Sequence, residues 1–168
     1  MADVAIEELP ADRTEAYALL VRQAEALCRG ERDWVANAAN LAALLGRGLM
    51  DVNWVGLYVV RGDELVLGPF AGLPACVRIG RGRGVCGTAW AENRTLVVPD
   101  VHAFPGHIAC DAASRSEVVV PVRAEGRVVG VLDCDSPTPA RFDDEEVRLF
   151  EAVAAILGPA CDWPVPGA

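Results

Sequence analysis

The order of helical and strand patterns along the chain constrains its fold more than any single motif. Helical periodicity covers about residues 12–28 and 34–45 and returns in a segment that begins at Asp143. Strand patterns fill much of the sequence between them. Helices at both ends around consecutive hairpin-like strands predict an α+β domain with a central antiparallel β-sheet flanked by N- and C-terminal helices. The same order does not suit a parallel sheet built from βαβ units.

Polar residues and glycines predict where the helices begin and end. Asp33 is the expected N-cap of the second helix, and Gly46 its expected terminator. Asp143, followed three residues later by Glu146, has the spacing of a capping box for the last helix. We expect the Gly-Pro pair at 158–159 to end that helix.

The strand region shows period-two and β-branched patterns separated by turn residues. The strongest hairpin signal joins two apolar runs across the three residues 124–126, with Gly126 able to adopt a positive φ. The expected order is a strand at 52–60, a strand at 64–67, a glycine-rich loop at 68–84, a short helix at 85–93, a strand at 96–98, an irregular segment at 99–116, and the hairpin strands 117–123 and 127–135.

Length and composition predict one soluble domain. The 168 residues, 52% of them hydrophobic, suffice for a single core. We therefore expect one domain over residues 1–168, with an ordered core at about 12–160 and a frayed tail at 161–168. No apolar run is long enough to span a bilayer, and the acidic start lacks the features of a signal peptide. These features predict a cytoplasmic protein.

The net charge of −9 argues against nucleic-acid and anionic-membrane partners, because both need a concentrated basic surface. Only the run Arg78, Arg81 and Arg83 is locally basic. The glycine-rich string GRGRG at 80–84 lacks the lysine and hydroxyl residue of a phosphate loop, so phosphate binding there is disfavoured.

Three of the six cysteines, Cys76, Cys86 and Cys110, lie among glycines, small residues and polar groups rather than in apolar runs. Cytoplasmic thiols stay reduced, so redox chemistry, metal binding or simple burial explains them better than a structural disulfide frame. Cys110 follows His107 by three residues and precedes Asp111, so nearby donors can favour its thiolate. The alternative is a buried loop cysteine. His102, His107 and Cys110 could also be counted as zinc ligands, but their spacing lacks the paired cysteines of common zinc sites.

The remaining three cysteines are predicted to have no role in chemistry: Cys134 is a small core residue, and Cys28 and Cys161 are incidental residues at helix ends.

Acidic residues in the hairpin form a second candidate site. A three-residue loop would place Glu117 opposite Asp133, and Asp133 and Asp135 share one face because they are two residues apart. Three converging carboxylates raise one another's pKa unless a cation is bound or a proton is shared. The alternative interpretation is a set of solvated charges at strand ends, and a shift of one residue would separate them. Trp54 and Tyr58, alternating on one strand, are core residues by default.

Five strings together resemble the free methionine-(R)-sulfoxide reductases, which are enzymes built on a GAF domain. They are NWVGLY (53–58), LVLGPFAGLPACVRI (65–79), GRGVCGTAW (82–90), DVHAFPGHIACDAASRSE (100–117) and GVLDCDSP (130–137). The resemblance extends from about residue 53 to 142 and includes all three cysteines and the acidic trio. The small departures, Trp90 and Cys134, lie outside the expected chemistry.

The resemblance implies a reaction and assigns residues to it. Cys110 would attack the sulfur of free L-methionine (R)-sulfoxide, release methionine and become a sulfenic acid. Cys76 would then form an intramolecular disulfide, with Cys86 as an auxiliary or alternative resolving thiol. A thioredoxin-type dithiol would reduce that disulfide, which makes the chain an L-methionine (R)-S-oxide reductase with a disulfide as acceptor.

The same resemblance implies a substrate pocket. Glu117, Asp133 and Asp135 would hold the α-ammonium and the sulfoxide oxygen, while Trp54 and Tyr58 would form the apolar wall for the S-methyl end. It implies no metal or organic cofactor and suggests a homodimer. The alternatives are a ligand-sensing GAF module, normally joined to an output domain that the sequence does not show, and a redox sensor that signals through its disulfide without turnover.

Overall fold

The computed structural model describes residues 7–108 and 111–164. Its helices and strands follow the predicted order. The elements are α1 (Arg13–Cys28), α2 (Trp34–Gly48), β1 (Trp54–Arg61), β2 (Glu64–Gly72), β3 (Arg78–Gly80), α3 (Gly84–Glu92), β4 (Leu96–Val98), β5 (Ser116–Ala124), β6 (Arg127–Ser136) and α4 (Asp144–Ala160), with a short 3-10 helix at Val101–Ala103.

The strands form one antiparallel sheet in the order β3-β2-β1-β6-β5-β4. The terminal helices α1, α2 and α4 pack together against one face, and α3 packs against the other. Alternation along β1 supplies both cores: Val55 and Leu57 join the terminal helices, whereas Trp54 and Tyr58 point to the α3 side. The predicted α+β class and antiparallel sheet are confirmed, and the site lies on the α3 face.

The hairpin between β5 and β6 is tighter than predicted. Ala124 pairs with Arg127, so the loop contains only Glu125 and Gly126, both with positive φ. The predicted three-residue loop is therefore wrong. An irregularity after Val122 then shifts the register further.

The change in register also corrects one predicted pair. Glu117 lies opposite Asp135, and Asp133 lies opposite Val119. The predicted Glu117–Asp133 pair is wrong by two positions. Because a shift of two preserves the side-chain alternation, the three carboxylates still share one face.

The predicted starts of the helices agree with the structure better than their predicted ends. Asp33 accepts a hydrogen bond from the Ala36 N–H, and Asp143 forms the predicted capping box with Glu146. Gly46 does not end α2, which continues to Gly48, and Pro159 lies inside α4. Both predicted stops were wrong.

Two predicted irregular regions are more ordered than expected. β2 continues to Gly72, and β3 pairs with it, so strands occupy part of the predicted loop at 68–84. The start of the predicted frayed tail is packed: Cys161 is buried and Trp163 stacks on Trp34 with ring centroids 6.1 Å apart. Residues 165–168 lie outside the described part.

The three cysteines that were not assigned to the chemistry, Cys28, Cys134 and Cys161, are buried, free thiols. Cys134 lies in the core beneath the terminal helices, as predicted, on the face opposite Asp133. Cys28 and Cys161 belong to the same core. Among the helices described, none is long and apolar enough to cross a bilayer.

Candidate active site

A cavity of about 40 Å³ lies between the sheet, α3 and the loops that precede β3 and β5. It brings together most of the residues that the sequence singled out. The predicted site residues that line it are Trp54, Tyr58, Cys86, Glu117, Asp133 and Asp135.

Strand register explains why these side chains meet. On the central strands Trp54 of β1 lies beside Asp135 of β6, and Glu117 of β5 lies on the other side of Asp135. Asp133 is two residues from Asp135 and therefore points the same way. Its neighbour on β1 is Gly56, where a Cβ would come within 2.4 Å of Phe70 and 2.6 Å of the Trp54 ring. A glycine is needed there to let the indole lie flat over the sheet.

Glu117 and Asp133 are buried and Asp135 is partly buried, and the pKa of each carboxyl group is raised. Burial is the main cause of a pKa well above the usual range for Glu117, and the charges of Asp133 and Asp135 add to it. Burial raises the pKa of Asp133 to about 7, although hydrogen bonds from Cys86 and Glu117 oppose the rise. Asp135 also has a strongly raised pKa, from burial and from the charges of Asp133 and Asp111. The site thus holds protons near neutral pH.

Arg83 also lines the cavity, but it forms no ion pair with the trio. Within residues 7–108 and 111–164, no arginine forms an ion pair with any of the three carboxylates. His107 Nε2 lies 3.8 Å from Glu117 Oε2, but burial lowers the pKa of His107 and favours its neutral form. Asp133 Oδ1 is buried, and no donor among the described residues reaches it. Among the described residues this cluster therefore has no ion-paired arginine, and it is suited to a ligand that brings a positive charge.

Cys86 is part of the polar floor of the cavity. Its thiol donates to Asp133 Oδ2 at 3.2 Å, and its sulfur lies 3.8 Å from Glu117 Oε1. Burial, followed by the charges of Asp133 and Glu117, raises the pKa of the thiol well above its usual range. Cys86 therefore keeps its proton and acts as a hydrogen-bond donor to the carboxylates.

Cys86, Glu117 and Asp133 each offer a ligand atom, and these atoms lie within 4.8 Å of one another. One thiolate and two carboxylates are a donor set that a divalent metal could use. In the structure the same atoms satisfy one another through the thiol proton, so the geometry has an explanation without a metal.

Trp54 and Tyr58 form an aromatic wall and also hold a loop. Their rings stack at a centroid distance of 5.9 Å. The indole N–H of Trp54 donates to the Leu73 carbonyl at 3.1 Å, and the Tyr58 hydroxyl donates to the Cys76 carbonyl at 2.9 Å. The default interpretation of these aromatics as plain core residues missed this second role, because the acceptors are backbone atoms distant in sequence.

Cys76 lies in the loop between β2 and β3, partly buried against the α3-side core. It is disulfide-bonded, whereas Cys28, Cys86, Cys134 and Cys161 are free. The predicted nucleophile Cys110 lies outside the described residues.

The sequence did not predict a polar clamp directly after Cys110. The Asn53 amide donates to Asp111 Oδ2 at 2.8 Å and to Ser114 Oγ at 3.1 Å. Asp111 Oδ1 accepts from the Ala113 N–H, which closes a tight turn. Asp111 and Ser114 both line the cavity. The sequence predicted only an irregular segment here, and nothing in it indicated Asn53 as the anchor of a turn.

A family comparison agrees with this fold and cavity. The GAF domain model matches residues 12–160, so the chain belongs to the GAF domain family. A 53% identical relative from Escherichia coli, named free methionine-R-sulfoxide reductase, aligns over 87% of this chain and 88% of its own length. A Saccharomyces cerevisiae protein of the same name is 38% identical and covers 89% of this chain and 88% of itself. Within the GAF domains, the chain therefore belongs to the free methionine-R-sulfoxide reductase family.

A solved structure gives the same result in three dimensions. The X-ray structure of free methionine-R-sulfoxide reductase from Neisseria meningitidis, in complex with its substrate, superimposes with a TM-score of 0.87 at 47% identity. The match covers 92% of this chain and 93% of that one.

Proposed function

We propose that this chain reduces free L-methionine (R)-sulfoxide to L-methionine with a cysteine nucleophile and a dithiol reductant. The observation that carries the proposal is the acidic trio of buried Glu117 and Asp133 and partly buried Asp135, which has no ion-paired arginine and faces an aromatic wall in one cavity. The names of the relatives in the same family support the activity.

The cavity accounts for recognition of a free amino acid. A substrate α-ammonium supplies a positive charge to pair with the trio. When the ammonium is buried there, carboxylate oxygens replace water as its hydrogen-bond acceptors. A peptide-bound methionine has no such ammonium and leaves the carboxylates unpaired. The S-methyl end packs against Trp54 and Tyr58, where burial of a methyl group contributes about 1 kcal/mol.

The same carboxylates can supply the proton that sulfoxide reduction requires. Glu117 has a strongly raised pKa because it is buried beside two other acids. A protonated carboxyl group can donate to the sulfoxide oxygen as the S–O bond breaks. Asp133 or Asp135, when ionised, can then hold the ammonium, so one cluster performs both tasks.

The proposed reaction has three steps: sulfoxide reduction, disulfide formation and disulfide reduction. The Cys110 thiolate attacks the sulfoxide sulfur, the oxygen passes to the cysteine with a proton, and methionine leaves, so the cysteine becomes a sulfenic acid. The Cys76 thiol attacks the sulfenic sulfur, forms a disulfide and releases water. A dithiol then returns two electrons and two protons and becomes a disulfide itself.

We assign the resolving step to Cys76 rather than Cys86. Cys76 lies in a surface loop and is the disulfide-bonded member of the two. Cys86 is fully buried, and two neighbouring carboxylates hold the pKa of its thiol high. A thiol that keeps its proton is a poor nucleophile.

The test is a coupled assay with free methionine (R)-sulfoxide, thioredoxin, thioredoxin reductase and NADPH. Cys110→Ser should release no methionine even in a single turnover, because a serine hydroxyl is not ionised near neutral pH. Cys76→Ser should release about one methionine per site and then stall. Cys28→Ala, which removes a free thiol from the core beneath the terminal helices and does not touch the cavity lining, is the matched control. One methionine per site from Cys110→Ser would exclude Cys110 as the nucleophile.

Selectivity gives a second test of the acidic trio. N-acetyl-methionine (R)-sulfoxide lacks the ammonium and should be reduced at least about a hundredfold less efficiently than the free amino acid. Comparable efficiency on both would remove the trio as the ammonium site. The free S epimer, measured in the same assay, tests the stereochemical preference.

A further inference from the structure

Exposed apolar residues lie on both sides of Cys76 in the chain. Leu73 and Val77 flank it, and each is 63% exposed, while Phe70 at the end of β2 is 36% exposed. The described large apolar residues with such exposure are Val35, Met50, Phe70, Leu73, Val77 and Val97, so half of them lie within six residues of this cysteine in the sequence. Exposed apolar groups that cluster in this way are typical of interaction surfaces.

Hydrogen bonds hold the loop at 73–77 in place. Its Leu73 and Cys76 carbonyls accept from Trp54 and Tyr58, and its Val77 carbonyl accepts from the Leu67 N–H at 3.0 Å. A loop fixed at three points presents its apolar side chains without a large ordering cost on binding.

The charge beside this loop differs from that of the whole molecule. Arg78, Arg81 and Arg83 follow directly, in a chain whose net charge is −9. The pair between Arg78 and Glu64 is exposed on both sides, and Arg81 lies over the Trp90 ring. An apolar patch bordered by arginines is complementary to a partner with an apolar contact face and an acidic rim.

We propose that the loop at 73–77 is the docking surface for a protein dithiol of the thioredoxin type, with Leu73 and Val77 as its apolar contacts and the adjacent arginines as its charged rim. The inference rests on the proposed function, because it supplies the partner for the last step. One thiolate of the partner attacks the Cys76 sulfur and displaces the second enzyme cysteine as a thiol. The partner's other thiol attacks the mixed disulfide, frees Cys76 and leaves the partner oxidised.

A second copy of this chain fits the surface at 73–77 less well than a thioredoxin-type partner does. Both copies would bring the same arginines to the contact, and like charges across an interface are unfavourable. The experiment nevertheless measures this alternative.

The test compares a protein reductant with a small one. Val77 does not line the cavity, so Val77→Asp changes the patch and leaves the substrate site intact. We expect its KM for thioredoxin to rise at least about tenfold, because it loses an apolar contact and gains a charge that repels an acidic rim. Its turnover with dithiothreitol, and its KM for methionine sulfoxide, should stay within about twofold of wild type.

Two variants and a salt series complete the design. Val77→Leu should keep the thioredoxin KM close to wild type, since it preserves the apolar contact. Met50→Asp places the same charge on a residue that is 78% exposed and distant in sequence from the loop, and should have no effect. Added salt should raise the wild-type KM for thioredoxin but leave the dithiothreitol rate unchanged.

Each outcome bears on a different claim. An unchanged thioredoxin KM in Val77→Asp overturns the docking surface, and so does an equal loss with both reductants. Sedimentation of wild type and Val77→Asp detects a dimer that the substitution disrupts, which would assign the patch to a second copy instead. If wild type fails to reduce free methionine sulfoxide with dithiothreitol, the proposed function fails separately.

Discussion

The acidic trio should make the protein less stable as the pH rises, and the size of the effect follows from the structure. Asp133 is buried, and its pKa rises from an ordinary 3.8 to about 7. Between those two values the folded state binds a proton that the unfolded state has lost. Stability rises with pH only where the unfolded state binds more protons, so here the free energy of unfolding must fall.

The magnitude follows from the difference in pKa. Each pKa unit corresponds to about 1.36 kcal/mol, and a shift of about three units therefore gives at most about 4 kcal/mol between pH 4 and 7. This value is an upper limit for the contribution of Asp133 alone, because Glu117 and Asp135 titrate together with it. Their own raised pKa values extend the loss toward higher pH. The depressed pKa of His107 acts in the opposite direction below its ordinary 6.5.

The assay is urea unfolding at about pH 5 and about pH 8, on either side of the raised pKa of Asp133. The free energy of unfolding of wild type should fall by about 2–4 kcal/mol over this range. Asp133→Asn removes one charge from the cluster, so its loss should be about half as large. Asp63→Asn, at an exposed turn, is the matched control and should follow wild type.

Free methionine adds a second arm to this experiment. Its ammonium supplies the cation that the trio lacks, so it should stabilise wild type more at about pH 8 than at about pH 5. A wild-type stability that stays flat across this range, or an Asp133→Asn variant with the same pH dependence, would refute the description of the site as a strained cluster of buried acids.

Three further results are expected. Cys86→Ser should retain steady-state turnover with thioredoxin within about threefold, because a hydroxyl can replace the thiol as donor; a stalled Cys86→Ser enzyme would instead make it the resolving residue. Asn53→Ala should slow single-turnover methionine release about tenfold with a smaller change in KM, since two bonds to the loop after Cys110 are lost, and an unchanged rate would remove the clamp from catalysis. Glu146→Ala should lower the free energy of unfolding by about 3–5 kcal/mol in chemical denaturation, because this buried carboxylate accepts from Tyr17 and Arg141, while Glu145→Ala should cost less than half as much.

The sequence predicted the convergence of the three carboxylates better than it predicted the backbone around them. The hairpin register together with strand alternation placed Glu117, Asp133 and Asp135 on one face, and this survived an error of two residues in register because the alternation has a period of two. An error of one residue would have separated Glu117 from the other two.

The backbone predictions failed where local rules compete with tertiary packing. Gly46 was expected to end α2, but a side chain added there would meet Ala71 at 3.1 Å and Val55 at 3.3 Å. The glycine permits close packing of the helix on the sheet instead. Similarly, Gly158 lies against the Arg123 backbone, so α4 continues past it. Both glycines are needed for contacts that no local pattern reveals.

Contacts between distant segments could not be predicted at all. The bond from Asn53 to Asp111 and the bonds from Trp54 and Tyr58 to the 73–76 backbone join residues with no shared periodicity. They depend on how loops fold over the α3 face of the sheet, which short-range patterns do not determine.

The two aromatic residues of β1 limit how this pocket can be redesigned. Replacing Trp54 by a smaller residue would make room for a bulkier sulfoxide, but it would also remove the N–H that fixes the Leu73 carbonyl. Tyr58 imposes the same condition through its hydroxyl and the Cys76 carbonyl. An enzyme engineered for larger substrates would therefore hold the loop at 73–77 less firmly unless new donors replaced both bonds. With Cys76 in its proposed resolving role, directed evolution would have to change substrate range and regeneration together.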